Sequence, residues 1–241
     1  MLKEKFQKLF RLVGLEVNKY SFYNSEHALL KKCLDLFSIN FVIDVGANAG
    51  QYGTKLREAG YNFHISSFEP LEKSFLELKI KAAKYKDWYV YNFAAGSKHE
   101  ELMINVSENL VSSSLLGMTT FSKQAEPKSQ YYTKQKIKVI PLEGFFHDKG
   151  INGKNIFLKM DVQGYELEVL KGYDSLLSKT SVVQLEMSFV PLYESGPLYD
   201  TIFSFFKERN FEVYTIIPGF RDPQTGRMLQ ADGIFINKAK L

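Results

Sequence analysis

Cysteine is almost missing from this chain: Cys33 is the only one in 241 residues. An internal disulfide is therefore excluded, and the composition suits a reducing compartment. With no histidine or carboxylate set beside it, Cys33 reads as a small buried apolar residue, not a nucleophile or metal ligand. No apolar run approaches the roughly 18 residues of a membrane span. The basic start is not followed by an apolar stretch and a small-residue cleavage site, so a secretory leader is not expected and a cytoplasmic location is. A strong charge of either sign is also lacking, since Lys+Arg 31 against Asp+Glu 27 leaves a net +4. Without a basic run interleaved with aromatics, that excess does not argue for a nucleic-acid partner. The histidines His27, His64, His99 and His147 are scattered and show no ligand spacing, and no carboxylate cluster announces a metal. Repeats, low-complexity tracts and domain-splitting linkers are absent as well, which leaves one α/β domain with an appendage as the expected scale.

What is present centres on Phe41-Val-Ile-Asp-Val-Gly-Ala-Asn-Ala-Gly50. The short apolar run reads as a buried parallel strand, and a helical pattern starts at Gln51. Gly46 and Gly50 remove side chains where the chain turns sharply and a ligand comes close. Asn48 breaks the G-x-G-x-x-G spacing of a dinucleotide fingerprint. Asp44, two residues before the first glycine, suits a cation such as the ammonium of a methionyl group. The arrangement looks like motif I of the S-adenosylmethionine methyltransferases.

A second acid fits the same ligand. Residues 63–70 read as a strand ending in Glu69-Pro70, and Glu69 lies 23 residues after Gly46. An acid at that place can accept hydrogen bonds from both ribose hydroxyls. A third strand over 88–92 leads into Phe93-Ala94-Ala95-Gly96, whose small residues leave room for an adenine ring. Alternation over 101–106 and again over 136–142 predicts a hairpin outside the parallel set. The intervening residues 107–134 read as a long polar loop, and a short helix is expected over 143–149. Further strands are expected at 155–161, ending in Asp161, and at 182–187, passing Glu186. Two late strands, 211–217 and 233–236, are joined without a helix and fit an antiparallel edge pair. Ahead of all this, Leu2, Phe6, Leu9, Phe10 and Val13 recur at helical spacing among Lys3, Lys5, Lys8 and Arg11. The expectation there is a helix that covers the sheet, the alternative a basic face on a membrane surface or a partner. Aromatic content is 15%, and Tyr131, Tyr132, Tyr193 and Tyr199 are candidates for a wall against a sugar ring.

Taken together, Asp44-Val-Gly-Ala-Asn-Ala-Gly50, Phe68-Glu69-Pro70, Ser112-Ser-Ser-Leu115, Lys159-Met-Asp-Val-Gln-Gly-Tyr-Glu166 and Asp232-x-x-Phe235 resemble the FkbM family of methyltransferases. The likeness covers roughly residues 38–237, and the Lys159–Glu166 block is its most specific part. It implies a class I methyltransferase (Rossmann-like) α/β fold. That fold has a seven-stranded, mostly parallel sheet with helices on both faces and the last strand inserted antiparallel. Here N-terminal helices and the hairpin would be added to it. The division expected is an N-terminal helical extension, 1–37, and a methyltransferase domain, 38–241. The resemblance also implies methyl transfer from S-adenosyl-L-methionine to a hydroxyl of a sugar, a glycan or a related small molecule. By that likeness Asp44, Gly46, Asn48 and Gly50 meet the methionyl part, and Glu69 with Pro70 the ribose. Asn92 to Ala94 would lie by the adenine.

An alcohol acceptor must lose a proton as it is methylated, and a nearby base helps. Asp161 is the candidate base, or fixes the methionyl end of the cofactor, and Glu186 is the candidate to position the acceptor. Two readings compete with this one: a nucleic-acid methyltransferase and a non-catalytic adenosine-binding protein on the same fold. A homodimer and a peripheral membrane contact are compatible with the sequence; a transmembrane segment is not expected.

Overall fold

The computed structural model describes residues 2–147 and 149–240. Among the expectations above, Asp148 of the 143–149 helix and the side chains of Leu2, Lys3 and Lys5 lie outside the described residues. The chain opens with α1 (Leu2–Leu12) and α2 (Glu26–Leu36), the second capped by Ser25, whose Oγ accepts from Ala28 N. Then come β1 (Phe41–Val45), α3 (Gln51–Glu58), β2 (His64–Phe68), α4 (Glu72–Ala82) and β3 (Trp88–Tyr91). This alternation of strand and helix forces parallel pairing, because each return crosses a face of the sheet.

β1 is buried along its whole length, and its pleat sorts the side chains between two cores. Phe41, Ile43 and Val45 pack with Leu158, Met160 and Phe68 on one face; Val42 packs with Leu56, Ile65 and Phe157 on the other. α2 belongs to the second core, through Leu30, Cys33, Leu34 and Phe37. Burial pushes the Cys33 thiol up to about 12, so it is an inert packing group. None of the described side chains of α1 enters a buried cluster; Phe6, Leu9 and Leu12 stay exposed.

After β3 the chain leaves the main sheet. β4 (Ala94–Ala95), β5 (Glu100–Ser107), α5 (Thr120–Ala125) and β6 (Tyr131–Ile140) build a second sheet of order β4-β6-β5. The hairpin read from the sequence is there, with Leu102 opposite Ile137. Its second arm begins at Tyr131, five residues earlier than alternation suggested. The outward face of that arm carries Tyr132, Lys134, Lys136 and Lys138, and these polar positions disguise the strand. α6 (Leu142–Phe146) returns the chain to β7 (Ile156–Met160), α7 (Glu166–Lys171), α8 (Asp174–Leu177), β8 (Thr180–Ser188) and α9 (Tyr199–Glu208). The last strands are β9 (Phe211–Pro218) and β10 (Gln230–Asn237).

The main sheet has the order β3-β2-β1-β7-β8-β10-β9, parallel up to β8, with β10 antiparallel to both neighbours. β10 rather than β9 takes the inner place because nearly all of it is buried, with Ile234, Phe235 and Ile236 in the core clusters. β9 alternates exposed and half-buried residues, as an edge strand does.

The register matters most for function. Val45 stands level with Phe68 on one side and Met160 on the other, and Met160 is level with Leu185. The residues that follow, Gly46, Glu69 and Asp161, therefore leave the sheet side by side along one carboxyl edge, level with Glu186, which stays in β8 opposite Asp232. Ligands of open α/β sheets bind at such an edge.

Candidate active site

A cavity of about 380 Å³ opens at that edge. Its walls include the turn Gly46-Ala47-Asn48, Glu69 to Leu71, Ala94 and Ala95, and Asp161 to Gln163. The outer sheet and its loop close one side with Ile104, Leu110, Val111 and Leu115. Glu26, Gln51, Tyr52 and Lys55 stand on the side of the N-terminal helices, and Gln184 and Asp232 come from β8 and β10.

The glycine turn has the backbone the sequence implied. Gly46, Asn48 and Gly50 all have positive φ (74, 47 and 81°). At Gly46 a β-carbon would fall 1.9 Å from the Asp161 carbonyl oxygen, so two strand ends can meet there only without a side chain. Asn48 Oδ1 accepts from Ala49 N at 2.6 Å and holds the turn shut. Glu69 locks the same turn from the neighbouring strand. Its Oε2 accepts from Asn48 N and its Oε1 from Leu71 N, both at 2.8 Å. Burial pushes the Glu69 carboxyl up to about 7, against those two N–H groups.

Not every residue singled out from the sequence faces the cavity. Glu69, Pro70, Ala94, Asp161, Gly46 and Asn48 line it. Asn92 lies outside the wall and donates from Nδ2 to the carbonyls of Glu69 and Pro70 at 2.9 and 3.1 Å, bolting that corner in place. Gly50 shapes the turn from behind, packed toward Leu78 and Trp88. Asp44 is fully buried beneath the wall. Its Oδ2 accepts from Ser67 Oγ at 2.9 Å, and the cation it faces is the protein's own Lys159, Nζ to Oδ1 3.4 Å. Lys159 also donates to the Gly46 carbonyl at 3.2 Å and stands 3.8 Å from Asp161 Oδ2. One buried ammonium thus ties β1, the glycine turn and the end of β7 together. Those carboxylates hold its pKa above the ordinary lysine value in spite of burial.

Glu186 stands behind Gln163. The Gln163 amide nitrogen donates to Asp161 Oδ1 at 2.5 Å and to Glu186 Oε2 at 3.1 Å, while its oxygen accepts from the Tyr193 hydroxyl. Gln230 donates to the same Glu186 oxygen at 2.7 Å. Burial, and then the carboxylates of Asp161, Glu166 and Asp232, push Glu186 well above the usual carboxylate range. The Gln163-Gly164 corner is held open by positive φ at both residues (55 and 93°). Glu166 closes it by accepting from Val162 N and Gly164 N at 3.2 and 3.3 Å. This explains why Lys159-x-Asp161-x-Gln163-Gly164-x-Glu166 is so specific a pattern: every named residue is a joint of one small frame.

Sequence reasoning missed Gln163, Tyr52 and Gln184 as site residues. Tyr52 donates to Gln184 Oε1 at 2.8 Å, and Gln184 donates to Asp232 Oδ2 at 2.9 Å. The register of late strands against early helices brings these together, and local pattern does not carry that. The tyrosines expected as a sugar wall lie elsewhere: Tyr193 is buried on Gln163, Tyr131 donates to the Leu116 carbonyl, and Tyr132 faces out. Among the described residues Tyr52 and Tyr165 are the tyrosines on the wall. No group of three or more described His, Cys, Asp or Glu side chains could hold a metal ion.

The order of strands and the cavity at the ends of β1, β2 and β7 are those of a class I S-adenosylmethionine-dependent methyltransferase. Residues 44–213 match the model of the methyltransferase FkbM domain, and the chain belongs to that family. It is an enzyme of methyl transfer, and its cofactor is S-adenosyl-L-methionine. No curated protein matches the sequence significantly. Among solved structures it is similar to a protein of Listeria monocytogenes assigned as an S-adenosylmethionine-dependent methyltransferase. The identity is 10%, the coverage 87% of this chain and 96% of that one, and the TM-score 0.51. It is also similar to magnesium protoporphyrin IX methyltransferase from Synechocystis PCC 6803 with bound cofactor. There the identity is 11%, the coverage 97% and 91%, and the TM-score 0.47. At such identity a likeness speaks for the fold alone.

The residues present fit the cofactor. Small side chains at Gly46, Ala47, Ala94 and Ala95 leave a cradle, and Glu69 keeps lone pairs free beyond its two N–H partners. The cavity has the volume of a small-molecule site.

Proposed function

We propose that this enzyme methylates a hydroxyl group of a sugar, either within a glycan or on a nucleotide or lipid carrier. The observation that carries the reading is the place of Asp161. Its side chain is 45% exposed on the cavity wall, while its backbone abuts the Gly46 turn. A carboxylate is thus held against the cofactor turn yet open to an acceptor.

In this reading Glu69 holds the ribose hydroxyls, and the Gly46–Asn48 turn with Lys159 meets the amino-acid end. S-adenosyl-L-methionine supplies an electrophilic methyl group on a sulfonium. Asp161 receives the hydroxyl proton as the acceptor oxygen takes the methyl group. Gln163, backed by Glu186 and Tyr193, fixes Asp161, with both amide hydrogens given to the two carboxylates. Gln184, Asp232, Lys55 and Glu26 add donors and acceptors around the rest of the cavity, a lining that suits a polyol.

The test is incubation with methyl-labelled cofactor and a panel of free, nucleotide-linked and lipid-linked glycans, read by mass spectrometry. Label on a sugar oxygen supports the reading. Transfer to RNA, protein or a polyketide, with no labelled glycan, overturns it.

A further inference from the structure

The N-terminal segment gathers exposed apolar side chains. On α1 and just after it, Phe6, Leu9, Leu12 and Val13 are exposed, and Leu12 is 83% open. Phe6 and Phe10 lie against each other, ring centroids 5.9 Å apart, on the same stripe. The chain then doubles back. Gln7 Nε2 donates to the Val17 carbonyl at 3.1 Å and Arg11 pairs with Glu16 at 2.8 Å. Leu15, Val17, Tyr20, Phe22 and Tyr23 prolong the apolar surface up to the start of α2. A soluble chain seldom leaves so much contiguous apolar area without a purpose.

The charge of the segment says what the occupant is. Residues 2–23 carry Lys3, Lys5, Lys8, Arg11 and Lys19 against Glu4 and Glu16. A short helix with a bulky apolar stripe in so basic a segment suits the interface of an anionic bilayer. The aromatics Tyr20, Phe22 and Tyr23 are of the type that settles at headgroup level. Among the described residues no helix is long and apolar enough to cross a membrane, so the contact would be peripheral. A protein partner with an acidic groove would match the charges as well. It would not call for apolar side chains spread over both the helix and the segment that follows it.

We propose that residues 2–23 dock the enzyme on the surface of an anionic lipid bilayer. The placement has a consequence for the active site. Ser25 caps α2, the Tyr20 hydroxyl is 2.7 Å from His27 Nδ1, and Glu26, paired with Lys55, stands on the cavity wall. The docking segment thus ends three residues before Glu26 on the cavity wall, and an acceptor carried on a lipid is presented where it is needed. That last step rests on the acceptor class proposed above; the docking itself does not.

The test is co-sedimentation of the full chain with vesicles that contain no glycan, so that docking is read apart from activity. Wild type should pellet with phosphatidylcholine vesicles carrying phosphatidylglycerol, bind pure phosphatidylcholine at least tenfold more weakly, and release in high salt. The triple variant Phe6→Ser/Leu9→Ser/Val13→Ser should stay in the supernatant. Lys3→Gln/Lys5→Gln/Lys8→Gln should lose binding by roughly fivefold per charge. None of the described residues in either set belongs to a core cluster, and circular dichroism checks that both variants fold. Equal binding by wild type and the serine variant overturns the proposal. So does absence of vesicle binding at low salt. A wild-type dimer in light scattering that the serine variant abolishes, with no vesicle binding by either, assigns the face to a second copy and overturns it too.

Discussion

Lys159, on the cavity wall, and Asp44, buried behind it, form an ion pair 3.4 Å apart, with the aspartate side chain fully shielded from solvent. Each end of the pair has further anchors, Ser67 on the aspartate and the Gly46 carbonyl on the lysine. Removing one partner strands a charge where water cannot reach it. Lys159→Met should therefore cost about 3–5 kcal/mol of stability. Adding Asp44→Asn should restore part of that loss. Urea denaturation of the two variants measures both, and an unchanged midpoint for Lys159→Met would show that the pair carries no weight.

If Glu69 holds the ribose hydroxyls as proposed, cofactor binding should depend on pH. Its carboxyl titrates at about 7 in the fold against 4.5 for an ordinary glutamate. The folded chain holds the proton where the unfolded chain has lost it, so this group's contribution to stability falls as pH rises from about 4.5 to about 7. Ribose hydroxyls donate to the ionised form, so affinity for S-adenosylhomocysteine should rise as pH passes upward through about 7. Glu69→Gln should flatten that dependence and weaken binding by about 10- to 100-fold, the loss of a hydrogen bond to a charged group. Glu166 also titrates at about 7, so Glu166→Gln should alter the pH dependence of stability while leaving that of binding in place. Calorimetric titration on either side of neutrality reads the difference.

Asp161 separates binding from turnover. If it takes the acceptor's proton, Asp161→Asn should bind S-adenosylhomocysteine within a few-fold of wild type yet lose about 100-fold or more in kcat. Full turnover by this variant would remove Asp161 as the base.

Gln163 allows a finer test. Its φ of 55° is a conformation that asparagine tolerates well and valine poorly. Gln163→Asn should keep the fold but shorten the amide out of reach of Asp161 and Glu186 together. The expected result is a raised KM for the acceptor with cofactor affinity retained. Gln163→Val should also lower the melting temperature, because the backbone must strain. Equal KM in wild type and Gln163→Asn would assign the bridge to structure alone.

The edge that bears the candidate site was legible early because its residues stand at strand ends. Once 41–45, 63–70 and 155–161 read as strands, Gly46, Glu69 and Asp161 fall side by side. The orientation of those side chains was not legible. Asp44 reads as a ligand for an incoming cation, yet a lysine more than 100 residues further along the chain supplies that cation internally. Asn92 reads as an adenine contact and braces the Glu69–Pro70 corner instead of lining the wall. The strand beginning at Tyr131 hid behind its alternating lysines, which belong to an outward face. In each case the missing information was which distant element packs opposite, and that lies in register, not in local pattern.

The small sheet β4-β6-β5 enters the chain after β3 and leaves it before β7, so it hangs on the main sheet as a self-contained side panel. The wall it contributes, Ile104, Leu110, Val111 and Leu115, can be recut by changes in the 100–140 segment without moving a strand that holds Glu69 or Asp161. A lineage built on this plan can exchange one acceptor for another while the opposite half of the cavity stays as it was.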